Sequence, residues 1–182
     1  MTPQLRSYST TFSVDRLGQE VFDAINHVRG WWSEEVAGAT DRVGGEFYYH
    51  YQDAHRCTLR VTVLERGRKV AWHVVDNYFN FVQDQDEWKD TDIVFDITET
   101  KGGTEVRFTH AGLDPQFECY DVCTNAWSGY LHGSLRNLIL TGQGQPNPKE
   151  GGTPQHQDAA NEQRAKRSPE FHASSSAGRP SD

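Results

Sequence analysis

Three side chains in this sequence could carry acid–base chemistry. His110 closes a predicted strand and continues the apolar face of Val106 and Phe108, so its imidazole should point inward as a general base or a ligand contact. It could equally be a hydrogen-bonded histidine that pins the strand end. Glu87 and His55 could form an acid–base pair if both faced the same cavity as His110. Glu87 could instead be a solvated charge at a strand edge. His110 and Glu87 are therefore the catalytic candidates.

The three cysteines do not predict a metal site or a disulfide framework. Cys119 and Cys123 lie one helical turn apart, Cys57 is distant in sequence, and no CxxC spacing supplies a tetrahedral zinc site. The chain also lacks the GxGxxG, GxxxxGK[ST], GxSxG and HExxH motifs. We therefore expect neither a metal nor a cofactor.

Aromatic residues are the strongest compositional signal, at 12 % of the chain. Such side chains could line a pocket for an apolar ligand, or they could simply form the core. The residues expected to contact a ligand are His55, Trp72, Trp88, Phe108, His110, Tyr120, Thr124, Trp127 and Leu131.

A long amphipathic helix is predicted over residues 117–142. Its apolar positions recur at three- and four-residue steps, which places them on one face. Asp114 and Pro115 form the expected entry, as N-cap and first helical position, and Gly142 is the expected stop. Tyr120, Thr124, Trp127, Leu131 and Leu138 lie on the apolar face.

Before this helix, the pattern alternates with the period of a β-sheet. A first strand is followed by a helix over residues 17–28 and a helical turn, near which one of Trp31 and Trp32 should pack inward. The predicted strands cover residues 5–14, 45–52, 54–65, 69–77, 88–100 and 104–110.

These elements predict an α+β fold, in which a curved antiparallel sheet of about six strands grips the long helix. Consecutive strands joined by short glycine turns pair as a meander, and the long helix is the element large enough to cover the apolar face. Such a sheet commonly leaves a cavity beneath the helix. We assign residues 1–142 to this domain and residues 143–182 to a disordered tail, because the tail holds five of the seven prolines and one large apolar residue, Phe171.

Charge and hydropathy exclude several partners. The chain carries a formal charge of −8, and lysine plus arginine balance aspartate plus glutamate in the tail, so the excess falls on residues 1–142. An acidic domain does not favour nucleic acid or anionic membranes. No apolar run reaches 18 residues and no secretory signal is visible, so we expect a cytoplasmic protein without membrane insertion.

The domain resembles the SRPBCC superfamily, also called START-like or Bet v 1-like, and within it the homologues of the activator of the Hsp90 ATPase. The resemblance covers about residues 7–142. It rests on Phe12, residues 21–25, Trp31-Trp32, residues 44–47, residues 70–72, Glu87-Trp88, Thr91, Ile93, Phe95, residues 104–106, residues 108–113, Tyr120, Cys123, Trp127 and Ser134-Leu135. It implies the helix-grip fold. Members of the superfamily bind lipids and hormones, cyclise polyketides or act as co-chaperone domains.

Three functions follow from these observations. The first is a stand-alone domain that binds a small apolar or aromatic molecule between sheet and helix. The second is an interaction module related to Hsp90 activators, with a chaperone as partner. The third is a polyketide cyclase or dehydratase-like enzyme that uses His110. The sequence favours binding over interaction, and interaction over catalysis.

Overall fold

The computed structural model describes residues 6–150, which form one antiparallel sheet and a set of helices. In chain order these are β1 (Ser7–Val14), α1 (Gly18–Asn26), a 3-10 turn (Val28–Gly30), β2 (Ala37–Gly38), β3 (Glu46–Tyr51), β4 (His55–Glu65), β5 (Lys69–Phe79), β6 (Asp92–Thr100), β7 (Gly103–Ala111), α2 (Tyr120–Ser128), a π-helical segment (Gly129–Leu135) and α3 (Arg136–Thr141).

The sheet is an antiparallel meander that the first strand closes on one side. Its order is β1-β7-β6-β5-β4-β3-β2. Strands β2 to β7 therefore each pair with the next strand in sequence, and β1 pairs with β7 at the edge. Gly102 and Gly103, at the start of β7, make the predicted tight turn, and Gly103 adopts a φ of 145° where a side chain would collide with the Val14 carbonyl. The predicted α+β helix-grip architecture is confirmed. The two-residue strand β2, which is too short to show a periodic pattern, raises the strand count to seven.

The inward faces of the central strands match the predicted rows. Val70, Trp72 and Val74 of β5 are fully buried, and so are the alternating apolar residues of β6 and β7. The period of two places these side chains on one face, where β5, β6 and β7 meet α1 and Phe108 of β7 contacts Trp127 of the C-terminal helical stretch (residues 120–141). The core therefore lies between the sheet and this C-terminal helical stretch.

The C-terminal helical stretch differs from the predicted helix in its pitch. Its buried apolar residues recur every four positions, and the segment Gly129–Leu135 is π-helical, which keeps this spacing through the second half of the stretch. They are Cys119, Cys123, Trp127, Leu131, Leu135 and Ile139. The wider turn brings Ile139 inward in place of the expected Leu138, which is half-buried.

The predicted C-terminal end of this helix is confirmed, and the predicted N-terminal end is not. Gly142 terminates it in the left-handed conformation, at a φ of 82°, as expected. The predicted entry at Asp114 and Pro115 is wrong. The Asp114 carboxylate accepts the Gln116 N–H at 2.9 Å within a local turn, and α2 begins only at Tyr120.

Both tryptophans of the Trp31-Trp32 pair are buried, which corrects the expectation that one would pack inward. They follow the 3-10 turn outside any regular helix, so the two rings need not diverge around a helix axis. Their rings stack at 6.1 Å between centroids, and each also stacks on Trp72.

The beginning of the C-terminal helical stretch is capped from a distant segment. The buried Glu87 carboxylate accepts the backbone N–H of Glu118 at 2.7 Å and that of Cys119 at 2.9 Å. A carboxylate at this end also complements the helix dipole. Glu87 therefore ties the segment before β6 to the start of α2.

Residues 143–150 lie against the domain, and we call them the strap. Asn147 forms a parallel bridge with Ser33, donating its N–H to the Trp32 carbonyl and accepting the Glu34 N–H, both at 2.9 Å. The rest of the predicted tail lies outside the described residues. Within residues 6–150, no helix is long and apolar enough to cross a membrane.

Replacing the capping carboxylate should destabilise the domain, and the loss should depend on how many acceptor oxygens the new side chain retains. Glu87→Ala leaves two backbone donors without their acceptor and should lower the free energy of unfolding by about 1–3 kcal/mol. Glu87→Gln retains one acceptor oxygen and should lose less. Urea unfolding monitored by far-UV circular dichroism measures both, and equal stability of the Glu87→Ala variant and the parent would contradict the capping role.

Candidate ligand-binding site

Four of the predicted site residues meet at one end of the interior, and we call them the Trp88 cluster: His55, Trp88, His110 and Trp127. The Trp88 ring stacks on Trp127 at 5.6 Å between centroids. It meets His55 at 4.6 Å and His110 at 4.8 Å, both edge to face. All four side chains are buried. The cluster joins β4, β7, the helix α2 and the segment before β6.

His110 links this cluster through hydrogen bonds at both ring nitrogens. Trp127 donates its Nε1–H to Nδ1 at 3.1 Å, which requires the imidazole proton to reside on Nε2. The Nε2–H then donates to Thr91 Oγ1 at 2.8 Å, and the Thr91 hydroxyl donates to the Trp88 carbonyl. A base role would first require the bond between Trp127 and Nδ1 to break.

Burial keeps this imidazole neutral. The loss of solvation, with a smaller contribution from the nearby His55 ring, lowers the pKa of His110 from 6.5 to about 3. At neutral pH the ring therefore carries no positive charge with which to pair a ligand carboxylate.

A second polar pair borders the cluster. His55 Nε2 and Asn77 Oδ1 lie 2.8 Å apart, and Asn77 also donates to the Gln85 carbonyl at 3.2 Å. Both side chains are buried. The pair connects β4 and β5 to the loop that precedes Trp88.

Two indole N–H groups in the interior have no hydrogen-bond acceptor among the described residues. They belong to Trp72 and Trp88, which are 0 % and 4 % exposed. A buried donor without an acceptor costs roughly 1–3 kcal/mol, and Trp side chains usually find a partner when buried. These donors are therefore available to an acceptor on a bound molecule.

A tyrosine pair lies near the strap. The hydroxyls of Tyr49 and Tyr130 are 3.4 Å apart, and Asn147 of the strap donates to Tyr130 at 2.7 Å. Tyr49 also stacks on Trp32 at 4.2 Å. Burial and the neighbouring Tyr130 raise the pKa of Tyr49. The pair is thus a polar contact between the sheet, the helical stretch and the strap.

The other predicted site residues lie in different surroundings. Trp72, Phe108 and Leu131 are fully buried in the aromatic and aliphatic core. Tyr120 is half-buried against that core, and Thr124 is half-buried with its hydroxyl bonded to the Asp121 carbonyl at 3.2 Å.

Glu87 does not form the predicted pair with His110, because both of its oxygens accept backbone N–H groups of the helix start. The Cys119 thiol, hydrogen-bonded to Cys123 and buried, has a raised pKa and stays protonated. Both residues act in packing and capping within the structure.

Sequence reasoning missed Asn77 and Asn147, the role of Thr91 as a partner of His110, and the hydrogen bonds of Tyr130. The sequence places Thr91 on the inward face of the strand predicted over residues 88–100, but it does not identify its partner. Asn147 stands in a stretch whose glycine and proline content is typical of a tail. Their side-chain bonds to His55, His110, Tyr49 and Tyr130 span between 17 and 98 positions of sequence, so no local pattern could report them.

Comparison with known proteins places this domain among characterised folds. Residues 19–139 match the family described as Activator of Hsp90 ATPase homolog 1-like protein. No curated protein sequence shows significant similarity to the chain.

Solved structures share the fold at low identity. The Aha1 dimer from Colwellia psychrerythraea is 20 % identical with a TM-score of 0.63, over 77 % of this chain and 100 % of that one. Protein MLL2253 from Mesorhizobium loti is 16 % identical with a TM-score of 0.59, over 74 % and 96 %. CalU16 from Micromonospora echinospora is 18 % identical with a TM-score of 0.56, over 87 % and 84 %.

The depressed pKa of His110 predicts an acid-sensitive domain. Between pH 6.5 and about 3 the unfolded chain binds a proton at this position that the folded chain does not, so stability falls as pH falls through that window. The contribution is about 1.4 kcal/mol per pH unit. Urea unfolding of the parent and of His110→Gln across this range should show a shallower pH slope for the variant. Identical slopes would mean that His110 does not titrate as described.

Proposed function

The chain belongs to the Activator of Hsp90 ATPase homolog 1-like family, and from the interior of its domain we propose that it binds a small, uncharged apolar or aromatic molecule. The ligand occupies the region between the sheet and the C-terminal helical stretch, at the Trp88 cluster. The observation that carries this proposal is the buried indole N–H of Trp88, which lacks an acceptor among the described residues.

The chemistry around Trp88 defines the ligand class. Rings of Phe79, Trp127 and the two histidines surround the indole and favour an aromatic or aliphatic body. The free N–H favours a hydrogen-bond acceptor such as a carbonyl, which would remove the cost of the unpaired donor.

The interior disfavours a charged ligand. The buried polar residues in the described part of the chain include no lysine or arginine, and His110 is neutral at physiological pH. A carboxylate would therefore lose its hydration without gaining a counter-charge. A neutral ketone, ester or amide fits better than the corresponding acid.

The rings at this end pack against one another, so a ligand must displace some of them. The segment of residues 80–86 between β5 and Trp88 is exposed or half-buried and borders the cluster. We place the entrance there, because its opening leaves the strand pairing of β5 with β4 and β6 intact.

Binding should depend on the Trp88 indole. Native mass spectrometry of the protein purified from its own host should show a retained small molecule, and neutral aromatic carbonyl compounds should raise the melting temperature more than their carboxylate analogues. A ligand at one hundred times its Kd stabilises by about 2.7 kcal/mol. Trp88→Phe, which removes the donor, should weaken binding about tenfold, or about 1.4 kcal/mol.

Trp31→Phe is the matched control, since Trp31 is equally buried but its Nε1–H already donates to the Ile25 carbonyl at 3.1 Å. It should leave the affinity near that of the parent. Absence of a retained molecule together with no stabilisation by any neutral compound would refute the proposal. Equal losses in both variants would show that packing, and not the free donor, determines affinity.

A second candidate function comes from the family itself. The family description names activation of the Hsp90 ATPase, and the formal charge of −8 would attract a basic surface on such a partner. We infer that the domain docks on an Hsp90-type chaperone through charged surface groups outside the interior.

This interaction should raise the ATPase rate of the chaperone from the same organism, and the effect should weaken with salt because exposed charges are screened. Steady-state ATP hydrolysis at low and high salt measures it. Trp88→Phe should leave the stimulation unchanged, which separates docking from ligand binding. An unchanged ATPase rate at low salt would exclude this candidate. The cyclase-like activity is not proposed, since both nitrogens of His110 are already engaged.

A further inference from the structure

Three side chains with metal-ligating atoms meet on the outer face of the sheet, away from the interior. His50 lies on β3 with its ring opposite to the buried face of Tyr49, Glu35 follows the Trp31-Trp32 pair, and Glu150 ends the strap. One ligand atom from each residue lies within 4.8 Å of the others. Because the three positions are far apart in sequence, they form no recognisable spacing motif, and the sequence analysis therefore predicted no metal.

The imidazole stands between the two carboxylates. Its Nε2 is 2.6 Å from Glu35 Oε2, and its Nδ1 is 3.7 Å from Glu150 Oε1. Ligands of a tetrahedral zinc ion lie roughly 3.4 Å from one another, since each is about 2.1 Å from the metal. One ion takes only one ring nitrogen, so binding at Nε2 requires Glu35 Oε2 to move back from 2.6 Å. The Glu150 side chain, which is 66 % exposed, has room to turn toward the same nitrogen.

The strap also orients the Glu35 carboxylate. The backbone N–H of Glu150 donates to Glu35 Oε1 at 2.8 Å, which leaves Oε2 directed at His50. Hydrogen bonds of this kind position carboxylate ligands in metal sites. The side chains of Glu35 and His50 are only 22 % and 23 % exposed, so their arrangement is held by packing.

We propose that Glu35, His50 and Glu150 bind one divalent transition-metal ion. Mixed nitrogen and oxygen ligands suit zinc, and three protein ligands leave a coordination position for water. Two carboxylates on an acidic chain supply the negative charge that the cation requires. The ion would join the loop after Trp32, strand β3 and the strap, and so hold the strap over the tyrosine pair.

A second histidine on the same face provides a control. His73 also lies between two carboxylates, with Nδ1 at 2.8 Å from Asp92 and Nε2 at 3.4 Å from Asp90. One ligand atom from each of Glu35, His50 and Glu150 lies within 4.8 Å of the others, and the three residues around His73 do not meet this criterion. Like His50, His73 is a partly exposed histidine between two carboxylates. The ligand atoms around His73, however, are not close enough to one another to share a metal ion.

The test uses the full chain, freed of metal with a chelator and titrated with Zn²⁺ and Co²⁺. We expect one equivalent of Zn²⁺ by native mass spectrometry, a rise in melting temperature, and visible d–d absorption from bound Co²⁺. His50→Gln and Glu35→Gln should each weaken Zn²⁺ binding at least tenfold, and Glu150→Gln should weaken it as well. The melting temperature in chelator confirms that each variant is folded.

Controls separate this site from other histidines. His73→Gln should retain the parent affinity, and so should a variant with His156 and His172 of the C-terminal region both replaced by glutamine. The proposal is overturned if the parent binds no Zn²⁺ at micromolar concentration, or if His50→Gln binds as tightly as the parent. It is equally overturned if His73→Gln or the double variant loses binding to the same extent as His50→Gln.

Discussion

The hydrogen-bond chain through His110 holds the helical layer in register with the sheet. It runs from the Trp127 indole through the imidazole to Thr91 and the Trp88 carbonyl, and thus from α2 through β7 to the start of β6. The chain requires a neutral imidazole with its proton on Nε2, because Nδ1 must accept. Burial meets that requirement by lowering the pKa of His110 to about 3. The same interaction therefore fixes geometry and protonation together.

Packing around that chain is dominated by aromatic rings. Trp127 stacks on Trp88 on one side and contacts Trp32 at 5.1 Å on the other, so a continuous array of rings spans the interior from the Trp88 cluster to the tyrosine pair. Such rings bury much surface while retaining one polar atom each. Most of these polar atoms are satisfied, and the indole N–H of Trp88 is an exception that favours a ligand acceptor at that end.

The strap connects the interior to the outer face. Asn147 contacts the tyrosine pair, whereas Glu150, three residues later, reaches the outward-facing His50. A cation at Glu35, His50 and Glu150 would therefore act on one end of the aromatic array, and a ligand at Trp88 would act on the other. The two proposed sites are thus chemically different and separated by a packed core, and each can be tested without disturbing the other.

The sequence by itself determined the layers of this protein, because their signals are local. The period of two along β4 to β7, the glycine turns and the apolar stripe before Gly142 predict a meander covered by a helix, and residues such as Trp72, Phe108 and His110 were placed inward correctly. The tertiary structure alone decided the π-helical pitch that exchanged Leu138 for Ile139, the long-range cap by Glu87, and the burial of both Trp31 and Trp32. It also decided the partners of His110 and the meeting of Glu35, His50 and Glu150. These features depend on contacts between segments far apart in the chain, and neither periodicity nor composition carries information about which distant segments meet.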